Sequence, residues 1–131
     1  MDQAALIALV DQLRSQGREA STVEFKSNWD LPRDIGEYLS ALANSAVLER
    51  HDHAYLVWGV NDQTHEVTST TFKPFSAKGE GTHPLIMWLT QSTSPKPDFE
   101  LYDVQPPTGP VVVLDIKAPR TPTFDKLRPS M

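Results

Sequence analysis

The chain has 131 residues, of which 39% are hydrophobic and 22% charged, enough for one domain with one core. Its 12 Lys and Arg stand against 17 Asp and Glu, a net charge of −5, which argues against phosphate binding by the surface as a whole. The sequence has no cysteine, so disulfides, thiolate metal sites and cysteine nucleophiles are excluded, and a reducing cytoplasm is the expected compartment.

No apolar run nears the ~20 residues that span a bilayer, and Met1-Asp2-Gln3 lacks the basic start of a signal peptide. Leu6, Leu9, Val10 and Leu13 recur at helical spacing, with Gly17 as a natural stop. Thr22 to Lys26 alternates as a short strand, with Val23 and Phe25 on one face and Thr22, Glu24 and Lys26 on the other. Asp30 reads as an N-cap and Pro32 as an early helical position, opening a helix whose stripe is Ile35, Leu39, Leu42 and Ala46. Ala54 to Val60 is nearly all apolar, as in a strand buried on both faces. Asn61 to His65 is turn chemistry, and Glu66 to Phe72 reads as the returning strand of a hairpin.

Lys73 to His83 reads as a polar loop with Gly79 and Gly81, and Pro84 opens a short helix through Leu85, Ile86, Trp88 and Leu89. A loop from Ser92 to Pro97 leads into an alternating strand, Phe99 to Val104. Pro106 to Gly109 turns, and Val111 to Ile116 is another buried strand. Pro119, Pro122 and Pro129 make the end irregular. These elements predict an α+β fold, a mixed β-sheet with packed helices, over a single domain.

One constellation stands out as chemistry. Glu24 and Lys26 share a strand face, Glu19 lies just before that strand, and Asp62 follows the buried strand at its C-terminal end, where open sheets present functional groups. Converging carboxylates suit Mg²⁺ or Mn²⁺, and such an ion can orient a phosphodiester and activate water while a lysine stabilises developing phosphate charge. The competing reading makes Glu24 and Lys26 a surface pair and leaves Asp62 holding its turn. Asn44, between Leu42 and Ala46, reads as half-buried and bonded to backbone or adjacent to the site. His51-Asp52-His53 reads as a solvated loop. Trp29, Trp58 and Trp88 read as core rather than base-stacking platforms. After Ile116 the balance turns basic: Lys117, Arg120, Lys126 and Arg128 face only Asp125, a stretch that can meet nucleic acid or simply be solvated.

The ordered set Val23-Glu24-Phe25-Lys26, Leu39-Ser40-Ala41-Leu42-Ala43-Asn44-Ser45, Tyr55-Leu56-Val57-Trp58-Gly59-Val60-Asn61-Asp62 and Val111-Val112-Val113-Leu114-Asp115-Ile116 resembles the Schlafen AlbA_2 domain, over about Glu19 to Phe124. The resemblance implies the N-terminal part of a longer bacterial protein, such as a transcriptional regulator or an ATP-binding, DNA-associated protein, with a further domain downstream. In animal Schlafen proteins a similar domain contributes to RNA cleavage through an acidic triad, whose positions fall here on Glu19, Glu24 and Asp62. Two departures are visible. The family's Gly-Gly pair after the Asn-containing helix is replaced by Ala46 to Asp52, and its closing strand is replaced by Leu127 to Met131. The chain is therefore expected to be a fragment or to lack its last strand, and an open sheet edge can promote a homodimer.

Three functions follow from these readings. The first is a nucleic-acid-binding module, for DNA or RNA, using Lys26, Arg33, Lys117, Arg120, Lys126 and Arg128 on phosphates. The second is a divalent-metal-dependent endoribonuclease with Glu19, Glu24 and Asp62 as ligands and Lys26 beside them. The third is an oligomerisation module.

Overall fold

The computed structural model describes residues 1–16, 22–28, 31–94, 97–119 and 124–125. Helix α1 (Gln3–Ser15) begins at Asp2, whose Oδ1 accepts a hydrogen bond from the Ala5 N–H at 2.8 Å. The helix buries Leu6, Val10 and Leu13 on one stripe. Strand β1 (Val23–Lys26) leads to helix α2 (Pro32–Leu48) and strand β2 (His53–Trp58). Helix α3 (Leu85–Ser92) and the two-residue β3 (Thr93–Ser94) precede the hairpin of β4 (Phe99–Val104) and β5 (Val111–Lys117). The two-residue β6 (Phe124–Asp125) pairs with β3.

The main sheet has the order β1-β2-β5-β4. β1 runs parallel to β2 through the crossover helix α2, as parallel neighbours require. The pairs β2–β5 and β5–β4 are antiparallel. The sheet is therefore mixed and covered by helices, as the apolar patterning predicts.

Strand alternation sorts the core into two halves. On one face Ala54, Leu56, Trp58, Val112, Leu114 and Ile116 pack with Ile35, Leu39 and Leu42 of α2 and Leu85 and Leu89 of α3. On the other, Phe25, Val57, Val104, Val111 and Val113 meet Leu6, Val10 and Leu13 of α1. Each fully buried aliphatic side chain contributes about 1.5–3 kcal/mol. Trp58 and Trp88 are buried, as their sequence context predicts, and Trp58 stacks obliquely on Phe72 at 4.7 Å.

Several expectations change. Ser92 ends α3 and Thr93–Ser94 form β3 where the sequence predicts a loop over Ser92 to Pro97, and within the irregular end Phe124–Asp125 pair with it as β6. The returning strand over Glu66 to Phe72 does not form, and Val60 and Val67 make an isolated bridge instead. Gly59 and Ser69 both have positive φ, +97° and +66°, which turns this segment away from β2. Its N–H groups at Thr68 and Ser69 both bond the Gly59 carbonyl, and Thr70 N–H bonds that of Pro110. β5 takes the place beside β2 that the hairpin would have filled. Next, the N-cap of α2 is Leu31, with no side-chain cap, because Pro32 already occupies the first turn; Asp30 lies outside the described residues. Finally, His53 opens β2 rather than sitting in a solvated loop.

Candidate functional site

The site grows from the C-terminal ends of the two parallel strands. In register, Glu24 lies beside Leu56 and Lys26 beside Trp58, so both charged side chains rise on the α2 face of the sheet. Lys26 Nζ lies 3.7 Å from Glu24 Oε1 and 4.9 Å from the centroid of the Tyr38 ring. α2 delivers Tyr38 to this position from its second turn. Burial works against the Lys26 ammonium, but hydrogen bonding and attraction to Tyr38, with the carboxylates of Glu24 and Asp62, outweigh it. Its pKa ends above the ordinary lysine value.

Asp62 reaches this cluster through a tight backbone arrangement. The Lys26 carbonyl accepts hydrogen bonds from the N–H groups of Gly59 (2.7 Å) and Val60 (3.3 Å), which ties the end of β1 to the turn. Asn61, and not Asp62, holds that turn. Its Oδ1 accepts from the N–H groups of Gln63 (2.8 Å) and Thr64 (2.9 Å), in the Asx geometry that short amides favour. Asp62 is left exposed, with its carboxylate in electrostatic reach of Lys26.

A cavity of about 240 Å³ opens beside the cluster, lined by Asp34, Glu37, Tyr38 and Ala41 of α2. Tyr38 is shared by the cavity and the Lys26 contact. One turn before Glu37 on α2, Arg33 donates to the Glu80 carboxylate from Nε (3.0 Å) and Nη2 (3.5 Å). A second loop joins here. Asn28, just after β1, accepts from Thr70 Oγ1 (2.6 Å) and the Thr71 N–H (2.9 Å), fixing the residues after Lys26 against the crossing segment.

The structure brings together Glu24, Lys26 and Asp62 of the residues singled out in the sequence. Asn44 is half-buried on α2, six residues beyond Tyr38 and so about 9 Å farther along the helix. Lys117 ends β5 opposite His53, on the other face of the sheet, and about 16 Å along β2 from the Lys26 register. Glu19, Arg120, Lys126 and Arg128 lie outside the described residues. Among the described residues no three His, Asp or Glu side chains converge to hold a metal ion. Glu24 and Asp62 alone supply two carboxylates with Lys26 beside them, a donor set that a divalent ion would need to complete elsewhere.

Tyr38 and Asn61 are the site residues that sequence reading misses. Tyr38 carries a signal, since it follows Asp34 by four residues on one helical face. Asn61 lies within the predicted turn, one residue before Asp62. Among the described residues, no helix is long and apolar enough to cross a membrane.

The Schlafen, AlbA_2 family profile matches residues 19–128. No protein of curated function matches the chain in sequence. Among solved structures, an N-terminal domain from Nitrosomonas europaea, belonging to a protein described as related to the ATP-dependent DNA helicase RecG, superposes with a TM-score of 0.58 at 20% identity. That match covers 96% of this chain and 82% of that one. A protein from Corynebacterium diphtheriae matches with a TM-score of 0.48 at 17% identity over 95% of this chain, which spans only 24% of that protein.

Proposed function

The chain belongs to the Schlafen AlbA_2 family, and from that premise we propose that it is a nucleic-acid-binding domain of a longer protein, of the kind a bacterial transcriptional regulator carries, with DNA as its first candidate ligand. The observation behind the reading is Lys26. Its ammonium stays charged at the end of two parallel strands, beside the Tyr38 ring and only 3.7 Å from a carboxylate that a phosphate can replace. A lysine in that position is a compact point charge for a phosphodiester. Arg33, Arg120, Lys126 and Arg128 extend the contact in this reading, whereas Lys117, on the opposite face of the sheet, stays outside it. A gel-shift titration with DNA and with RNA across a salt series tests it. Salt-dependent binding is expected, and no affinity for either at tens of micromolar protein refutes it.

A second reading follows from Glu24 and Asp62 both facing Lys26: a divalent-metal-dependent endoribonuclease. Glu24, Asp62 and Glu19 would hold Mg²⁺ or Mn²⁺, which would polarise the phosphate and activate water. Lys26 would hold the charge that builds on the phosphate. Incubation of transfer RNA with Mn²⁺ and wild type or Glu24→Ala separates the readings. Cleavage by wild type alone supports the nuclease, whereas equal cleavage by both proteins marks a contaminant.

A further inference from the structure

On the α1 face of the sheet, the helix covers only one end, where Val57, Val60, Val104, Val111 and Val113 meet Leu6, Val10 and Leu13. At the other end the strands bring His53, Tyr55, Asp115, Glu100 and Tyr102 together. Tyr55 lies opposite Asp115, and Asp115 opposite Glu100. His53 Nδ1 is 2.7 Å from Asp115 Oδ1, and the His53 and Tyr55 rings stack at 6.1 Å with 13° between planes. Burial, with Asp115 and Tyr102 behind it, raises the Tyr55 hydroxyl; burial, then Glu100 and Asp115, raises that of Tyr102. Tyr55 stands opposite Asp115, and Tyr102 follows Glu100 on the same face of β4. His53 and Glu100 are exposed and both tyrosines half-buried.

β4 is an edge strand of the sheet. The Gln3 side chain closes its far end, with Nε2 donating to the Asp103 carbonyl (2.8 Å) and Oε1 accepting from the Gln105 N–H (3.0 Å). By strand alternation the backbone groups of Phe99 and Leu101 point outward in the same phase. Among the described residues nothing bonds them.

We propose that this face docks an extended, arginine-bearing segment of a partner protein, added alongside β4 with a guanidinium laid over Tyr102 and bonded to Glu100. Charge selects the occupant. With Asp115 already bonded by His53, the exposed carboxylates of Asp98 and Glu100 stand against Lys117 on these rows, so the surface attracts a cation and repels a phosphate backbone. Chemistry selects arginine over lysine: a guanidinium is planar, stacks on aromatic rings and meets carboxylates with paired donors. Strand addition explains how the segment is held, since main-chain bonds supply affinity and alternate side chains reach one face. The patch is on the opposite face from Lys26, so the partner and a nucleic acid can be held together.

An NMR titration of the full chain with the capped peptide Thr-Arg-Thr-Arg-Thr tests this, beside versions carrying Lys or Glu at both Arg positions. Shifts confined to Phe99 to Tyr102 are expected, with the Lys peptide weaker and the Glu peptide silent. The variants Glu100→Gln and Tyr102→Leu are each expected to weaken the Arg peptide, about tenfold together. Glu100 is exposed, so the single Glu100→Gln variant keeps the test informative if Tyr102→Leu unfolds. Shifts scattered over the surface, equal binding of the Glu peptide, or wild-type affinity in Glu100→Gln overturn the proposal. So does concentration-dependent broadening of the same resonances without peptide, which would seat a second copy there.

Discussion

Gly59 carries the geometry that delivers Asp62 to Lys26, and replacing it with alanine exposes two separate costs. The residue has φ +97°, where an L side chain costs about 1–2 kcal/mol. An added Cβ would also lie 3.0 Å from the Pro110 carbonyl oxygen, 3.2 Å from the Ser69 carbonyl carbon and 3.3 Å from the Thr70 nitrogen. All three are backbone atoms, so relief requires moving the β4–β5 connection or the crossing segment, at about 1 kcal/mol more. The smaller conformational freedom of an unfolded alanine returns about 0.4–1 kcal/mol. The net expectation for Gly59→Ala is a loss of about 2 kcal/mol. With about 2.1 cal/mol/K of unfolding entropy per residue over 131 residues, that is a fall in Tm of about 7 °C. Gly81 is the control. It has φ +75°, but nothing described lies within 4 Å of its added Cβ, so Gly81→Ala meets the backbone cost without the crowding and is expected to lose about 1 kcal/mol or less. Differential scanning calorimetry of both variants decides the matter. A Gly59→Ala loss no larger than that of Gly81→Ala refutes the crowding argument.

Three further outcomes are expected. Lys26→Met should shorten the slope of log affinity against log salt by about 0.7–0.9 for one lost phosphate contact, read in the same gel-shift series; an unchanged slope removes Lys26 from the interface. Asn61→Ala loses the bonds from Gln63 and Thr64 and should cost about 1 kcal/mol in urea unfolding, whereas Asp62→Asn should cost less because Asp62 does not hold the turn. Stability should fall in base. The folded pKa values of Lys26, Tyr55 and Tyr102 all lie above their ordinary values of 10.5, 10.0 and 10.0, so their stabilisation is full below pH ~10 and lost as pH rises through the folded values. Urea midpoints between pH 8 and 11 check this, and Tyr55→Phe should flatten the decline.

The elements with one strong period were legible in the sequence. The α2 stripe of Ile35, Leu39, Leu42 and Ala46 and the apolar run before Gly59 both appear where their patterns put them. Glu24 and Lys26 were placed on one face by alternation alone, and the sheet keeps them there. Glu66 to Phe72 failed as a strand because its conformation is decided by non-local bonds. The Gly59 carbonyl, the Pro110 carbonyl and the Asn28 side chain all draw on it, and local propensity sees none of them. His53 and Asp115 are 62 residues apart, so their meeting needed the β2–β5 register, which periodicity does not supply. Turn chemistry is legible over Asn61 to His65, but the division of labour between Asn61 and Asp62 is not. The Asn61 amide oxygen accepts from the N–H groups of Gln63 and Thr64, and the Asp62 carboxylate is left outward.

That division decides what the cluster can do. Glu24 and Asp62 set two carboxylates against one ammonium, so the site carries a net negative charge while presenting its cation. A phosphate that binds Lys26 must displace Glu24, and the 3.7 Å separation with more than a third of the Glu24 side chain exposed makes that exchange inexpensive. The repulsion from Asp62 remains and is screened within about 8 Å at physiological salt. Binding through this site alone should therefore be weak and should not scale with the whole-chain charge. A domain of this kind gains useful affinity by being held near its ligand, because tethering to a second nucleic-acid-binding unit supplies effective concentration without any new contact here. A tandem fusion of two copies joined by a flexible linker should bind a long duplex far more tightly than one copy, and Lys26→Met in both copies should erase the gain.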